Sequence, residues 1–574
     1  MSRFGKLLLI FVFILAFFLR FNKLSSIPPG LGRDEVSVAY NAYSILQTGR
    51  DEHGRFLPVY FEAIGDQKLP GVIYSTVLSV WLFGLTPLGA RFPEALLGSL
   101  TVVLIYFLVK KMGELEPKLR HKNLSLVATV LLAVNPWHIY HSRGAFEICI
   151  TLFYLTLGTY AFLKGLKLRL WFFIAVTSFI IAFYSYSMTR LLSPLLFLSY
   201  CFIFRKEILN FSKRYLLSVG IWAIILLLPF VLTFLNPGGI YGPKGAVIFT
   251  SSITKSTFLE FRSYILNSPV AFLGPLIFNR IIMMLYEYAE NIISAISPGF
   301  YFVFGSPVAG IGTIGQFYLL ELVPFFVGII IVGKFAVSGS RVFRLLLTWI
   351  ILTVLSASMT VYPPYATRTF FIVVPIIVVI TLGWIKVFDF IKKSRLSFVI
   401  PAFIFVFFIY AWHFVYYLTS YYYRFPIVYA QNWEAKAKEL FDYLATNEDK
   451  VGKIIITKPE KSMYAFYLFY RRIPPESVWT NLERYPADPD GWRHGKKFGK
   501  YEFRQIDWKK DHDQASVDAI LVAEGGEYPE RTVVAKEILY DTKYAIFPVG
   551  QQIMSLPERP VAYRIWQVTS AKNP

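Results

Sequence analysis

The string Gly32-Arg33-Asp34-Glu35 sets two adjacent carboxylates just behind the first apolar run of the chain. An ionised group beside hydrocarbon is costly unless it is wet, paired or used. Asp66 and Lys68 follow in the same connection, and later connections carry Arg143, Glu147 and Arg368. A carboxylate that accepts a proton and cations that neutralise a departing anion are the two halves of a transfer away from phosphate. A sugar joined to a lipid phosphate would use both. Its cleavage leaves a phosphate dianion, and the incoming acceptor must lose a proton as it attacks C1. Asp34 suits the proton, and Lys68, Arg143 and Arg368 suit the phosphate. Glu35 or Glu147 would orient the acceptor or help hold a divalent metal, although no cofactor is required by the pattern. Asp66, Tyr40 and His141 are further candidates for holding acceptor or substrate.

Each of these residues also has a purely structural reading. Asp34 would cap a helix over 35–47, since Asp is favoured at that position. Lys68 would anchor a lipid headgroup. Arg143 and Glu147, four apart, would pair at a helix start. Arg368 would snorkel to the interface. The spacing of His138 and His141 without a partner points weakly to a metal. Asp51-Glu52-His53-Gly54 reads as a solvated turn.

The elements that must position these groups are apolar. The chain of 574 residues is 55% hydrophobic and 17% charged, with a mean hydropathy of +0.50. Soluble globular domains do not have this composition. Apolar runs fall at about 7–20, 88–109, 124–140, 147–163, 170–187, 191–204, 215–234, 316–333, 344–361, 369–386 and 397–417. That predicts a polytopic α-helical membrane protein with about eleven spans. No small-residue cleavage site follows the first run, which reads as a retained anchor helix. Basic clusters at 110–122, 164–169, 205–214, 334–344 and 386–395 occupy alternate connections. Placing them inside puts the acidic first loop, the loop around 135–147 and Arg368 on the outer face. Residues 71–85 are too short to cross easily and read as a helix on that face.

The net charge of +21 invites a nucleic-acid reading, but the cations cluster in short loops, where they fix topology and attract anionic lipid. No nucleic-acid partner is expected; the lipid bilayer is. Cys149 and Cys201 lie far apart in or beside apolar runs, which excludes a disulfide framework and a cysteine zinc site. The outward loop 235–315 carries an amphipathic stretch around 258–296 and reads as a cover. Residues 1–424, with outer loops 21–87 and 235–315, form the membrane module. Residues 425–574 read as a small extracytoplasmic α/β domain, with a helix over 431–445 and strands at 454–457 and 519–522.

The runs P-P-G-L-G-R-D-E-V-S-V-A-Y-N-A-Y, G-D-Q-K-L-P and N-P-W-H-I-Y-H-S-R-G-A-F-E resemble the bacterial members of glycosyltransferase family 39. These are GT-C enzymes similar to protein O-mannosyltransferases and the aminoarabinose lipid A transferase. The resemblance covers about 1–390. It implies a polyprenyl-phosphate-linked sugar as donor, inversion at C1 and catalysis at the outer face of the plasma or inner membrane. Asp34 matches the essential first-loop aspartate, the base, and Glu35 its acidic neighbour. Lys68 matches a lysine that contacts donor phosphate, Glu147 falls near the second-loop acid, and Arg368 resembles the arginine ahead of a late span. Leu69-Pro70 stands in place of two prolines, Ser37 in place of an arginine, and Glu147 in place of the mannosyltransferases' aspartate. The acceptor, whether protein, lipid or cell-wall glycan, stays open. The alternative is a transporter or flippase of a lipid-linked saccharide. That reading wants ionisable groups at mid-membrane and related halves, whereas here the charges crowd one face.

Overall fold

The computed structural model describes residues 3–569 apart from 65, 234–246, 250–258, 261, 267, 269–270, 274–278, 307–309, 362–363, 395–398, 488–492, 526, 528–533, 542–543, 547–552 and 556–558. Most of loop 235–315 before Arg280 therefore lies outside the described residues, and a helix, Arg280–Ala295, occupies its later part. The chain divides into two compact units, 1–22 with 93–418 and 23–92 with 419–574.

The first unit is helical. A helix overlies each of the eleven apolar runs, from Arg3–Phe21 to Val399–Thr419. Among the described residues, seven helices are long and apolar enough to cross a membrane by length and composition, and Leu124–Val134, Leu170–Phe183 and Thr189–Ile203 are shorter apolar helices. The helix Lys213–Thr233 fully buries only Val219, and Leu217, Ile221, Ile224, Ile225, Leu228 and Val231 on it are exposed. A surface of that kind needs lipid rather than water around it. The chain is a multi-pass membrane protein. Within the bundle, glycines permit close helix packing. A Cβ on Gly328 would strike the Val379 carbonyl oxygen, and one on Gly383 the Pro324 carbonyl oxygen. The helices Leu322–Val337 and Val373–Ser394 thus meet backbone to backbone.

The second unit joins the first long loop, within residues 23–92, to the C-terminal domain. The loop supplies the helix Arg33–Thr48, the hairpin β1 (Phe61–Ala63) and β2 (Asp66–Lys68), and the helix Pro70–Phe83, the predicted short helix of 71–85. The C-terminal strands are β3 (Lys453–Ile456), β4 (Leu482–Arg484), β5 (Gly495–Phe498), β6 (Tyr501–Phe503), β7 (Ala519–Glu524), β8 (Lys536–Leu539), β9 (Tyr544–Ile546), β10 (Ile553–Ser555) and β11 (Val561–Val568). Seven form one sheet in the order β4-β5-β6-β3-β7-β11-β8, and β9 pairs with β10 separately. β3 runs parallel to both β6 and β7.

Both sheet faces are covered, which is why the central strands read as unbroken apolar runs rather than alternating ones. Ile454, Ile456, Ile520 and Val522 face one core, and Ile455, Leu521 and Ala523 face the other. The first core also takes Leu440, Phe441 and Leu444 from the helix Ala437–Asn447, and Leu31, Val36, Ala39 and Tyr40 from the first loop.

Candidate active site

The first-loop helix begins at Arg33, and its N-cap is Gly32. The cap contact comes from Glu35, whose Oε2 accepts from the Gly32 N–H at 3.0 Å. Asp34 is therefore not the cap. Its side chain is 52% exposed, and its Oδ1 lies 3.2 Å from the Lys68 Nζ, itself 11% exposed. Displaced water raises the Asp34 pKa. The charges of Lys68 and Arg33 and the Lys68 hydrogen bond outweigh that and hold the carboxyl below the ordinary aspartate range. At neutral pH it is a carboxylate with one flank open.

Glu35 has a different environment. It is 2% exposed, and the Arg91 Nε and Nη2 donate to its two oxygens at 2.9 Å each. Arg91 also donates to the carbonyls of Leu24 and Pro28 at 3.1 Å and to that of Gly30, while its guanidinium lies 5.6 Å from the Trp433 ring. One buried cation thus gathers the turn around Pro28-Pro29-Gly30 and fixes the start of the helix that bears Asp34. Arg91 was missed in the sequence. The signal was available: a lone arginine inside the apolar run at 88–109 needs partners.

The expected solvated turn at 51–54 is instead enclosed. Asp51 is 0% and Glu52 1% exposed. Asn41 donates to Glu52 at 3.1 Å and accepts from its N–H at 3.1 Å, and Arg484 lies 3.5 Å from the carboxylate. Burial opposes the charge on Glu52, but His53, Arg484 and Asn41 keep its pKa below the ordinary range. The Trp479 Nε1 donates to the Asp51 carbonyl at 2.9 Å. The loop is bonded to residues more than four hundred positions away, which no local pattern can reveal.

Tyr40 is 1% exposed, and its hydroxyl donates to the Ile473 carbonyl at 2.8 Å. Asp66 lies in β2 opposite Ala63; its side chain is outside the described residues.

The helical unit holds the remaining candidates. Arg143 is buried and donates to the Leu19 carbonyl at 2.8 Å and to that of Asn22 at 2.6 Å. Glu147 adopts φ 69° as the residue ahead of the helix Ile148–Gly165 and makes no side-chain cap bond. A left-handed conformation at a glutamate is uncommon and strained. The cap role falls to Glu94, whose Oε2 accepts from the N–H groups of Cys149 at 2.8 Å and Ile150 at 3.3 Å. Arg368 donates to the Val361 carbonyl and stacks 4.7 Å from the Tyr365 ring centre. Tyr186 hydrogen-bonds Thr367 and lies within electrostatic range of both Arg368 and Glu147. His141 is fully buried among Tyr140, Phe146 and Phe370. Among the described residues, no group of three or more His, Cys, Asp or Glu side chains is arranged to hold a metal.

No protein-family model matches the sequence, and no curated protein matches it. Solved structures do match. ArnT from Cupriavidus metallidurans, solved bound to undecaprenyl phosphate, aligns with a TM-score of 0.51 at 11% identity over 98% of both chains. The archaeal oligosaccharyltransferase AglB from Archaeoglobus fulgidus, in complex with an inhibitory peptide and a dolichol-phosphate, aligns with a TM-score of 0.48 at 13% identity over 82% of this chain. The chain spans 64% of the length of AglB. The ArnT likeness shows that the chain shares the fold of that structure. It runs through the apolar helices and the C-terminal sheet domain alike.

Proposed function

We propose that this chain is a membrane glycosyltransferase. It moves a sugar from a polyprenyl-phosphate carrier to a protein, lipid or glycan acceptor at the outer face, with inversion at C1. The observation that carries the reading is the half-exposed Asp34 carboxylate 3.2 Å from Lys68. Asp34 takes the acceptor proton as the acceptor oxygen attacks C1. The bond from C1 to the phosphate oxygen breaks, and the electron pair leaves with the lipid phosphate. Lys68 supplies positive charge to that leaving group. Arg368 is a second donor-phosphate candidate, because it carries its charge in the short helix Ala366–Thr369 at the start of a long apolar helical segment. Glu147 is kept as a candidate for orienting the acceptor.

The other candidates take scaffold roles in this reading. Glu35 is committed to Arg91, Arg143 to two main-chain carbonyls, and Tyr40 and His141 are enclosed by packing. Eleven spans with an extracytoplasmic C-terminal domain remain the topology we favour, because the basic clusters alternate.

The test is release of lipid phosphate from polyprenyl-phosphate sugars by the purified protein, with the product followed by mass spectrometry. Asp34→Asn should abolish release while the protein still inserts and folds. Near-normal turnover by that variant would remove the assigned base. Release by neither protein would favour the flippase alternative.

A further inference from the structure

The C-terminal sheet contains a topological switch point that the transfer reading does not use. β3 lies between β6 and β7, parallel to both. The chain leaves β3 toward the β4-β5-β6 side and leaves β7 toward the β8 and β11 side. Where successive connections diverge in this way, a crevice opens beyond the carboxyl ends of the two strands, and α/β proteins bind ligands there. A cavity of about 210 Å³ occupies that place. Its walls include Lys458, just after β3, and Glu524, at the end of β7, with Gln431, Glu434, Tyr540 and Tyr563.

The polar groups form a rigid frame. Lys458 bonds Glu524 at 2.9 Å. Lys461 bridges Glu434 at 3.0 Å and Glu524 at 2.5 Å. The Tyr563 hydroxyl donates to the other oxygen of Glu434 at 2.8 Å. Each carboxylate oxygen keeps a second acceptor position. Tyr540 is different. It is 9% exposed and lines the cavity, yet its hydroxyl has no hydrogen-bond partner among the described residues. Glu434 and Lys458 hold φ values of 42° and 55°, and strained non-glycine backbone concentrates where ligands are gripped.

The chemistry of the walls selects the ligand. Three carboxylates crowd the site, counting Glu527 at 3.5 Å from Lys458, which disfavours an anion. The same carboxylates are neutralised by two lysines, which disfavours a bare cation. Fixed acceptors, an ammonium donor, a free phenol and tyrosine faces suit a ring bearing several hydroxyls. We infer that this cavity binds one pyranose residue of a neutral saccharide. The inference stands on the C-terminal domain alone and does not require the transfer reading.

The test is saturation-transfer NMR on the full-length protein in detergent, with the methyl glycosides of glucose, galactose, mannose and N-acetylglucosamine as probes. At least one should receive saturation. Tyr540→Phe, which removes only the free hydroxyl and should leave the melting temperature unchanged, should weaken binding at least fivefold. Asp34→Asn should not. Saturation of none of the four glycosides would overturn the inference, as would equal binding by Tyr540→Phe. Loss of binding in Asp34→Asn alone would assign the sugar to the other site and overturn it as well. Displacement of the glycoside by a lysine tripeptide at equal concentration would show a cationic peptide site instead.

Discussion

Asp34 and Glu35 are neighbours in sequence and opposites in environment. One is half exposed beside Lys68; the other is 2% exposed and held by Arg91. The difference makes a pH prediction. A base must be ionised, so the rate should fall as pH drops through the Asp34 pKa, which lies below the ordinary aspartate value. Lys68→Met removes the main stabilising charge and leaves desolvation opposed only by Arg33. The acid limb of kcat/KM should then move to higher pH, along with a loss of rate from the unneutralised phosphate. An unmoved limb would separate Lys68 from the base. The same sign holds for stability. A carboxyl with a lowered folded pKa stabilises the fold above its unfolded pKa, and that contribution is lost as pH falls through the folded value.

Two buried polar side chains, Arg91 and Glu94, fix the elements that carry the candidates. Arg91 gathers three carbonyls and Glu35 at the start of the helix Arg33–Thr48. Arg91→Met leaves the Glu35 carboxylate buried without its cation, at a cost of about 3–5 kcal/mol. Denaturant unfolding should show this loss, and adding Glu35→Gln should recover part of it. Glu94 satisfies two N–H groups at the start of the helix Ile148–Gly165, next to the strained Glu147. Glu94→Ala strands buried donors at about 1–3 kcal/mol each, whereas Glu94→Gln keeps an acceptor and should lose less. Thermal melts of the two variants check the order. Arg91 and Glu94 both sit far in sequence from the helices whose starts they hold. The helix Ile148–Gly165 was legible from the apolar run at 147–163 and the first-loop helix from a capping residue ahead of 35–47; what holds their ends was not.

At the scale of the molecule, the first long loop folds with the C-terminal domain as one compact unit. Trp479 is one of the fastenings. It donates to the Asp51 carbonyl, and its ring lies against Gly54. Trp479→Ala should free the loop locally, so trypsin should cut faster at Arg50 and Arg55 while the apolar helices stay protected. Unchanged cleavage would mean that the Glu52, Asn41 and Arg484 contacts suffice by themselves. The sequence divides the chain at residue 424, where the composition changes. Composition does not report which distant segments share a core. Tyr40, Val36 and Leu31 are ordinary loop-helix residues until they are seen packed beside Phe466 and Ile454.

Residue chemistry and hydrophobic period were enough to establish membrane helices, a sheet domain with Ile454–Ile456 and Ala519–Val522 at its centre, and the carboxylates and cations worth testing. These are local properties, written in consecutive residues. Only the folded chain decided that Glu35 is locked and Asp34 open, that Asp51 and Glu52 are enclosed, and that a cavity forms where β3 and β7 diverge. Those outcomes depend on partners such as Arg91, Arg484 and Tyr540. Burial and pairing are set by what comes close in space, and a linear pattern carries no record of that.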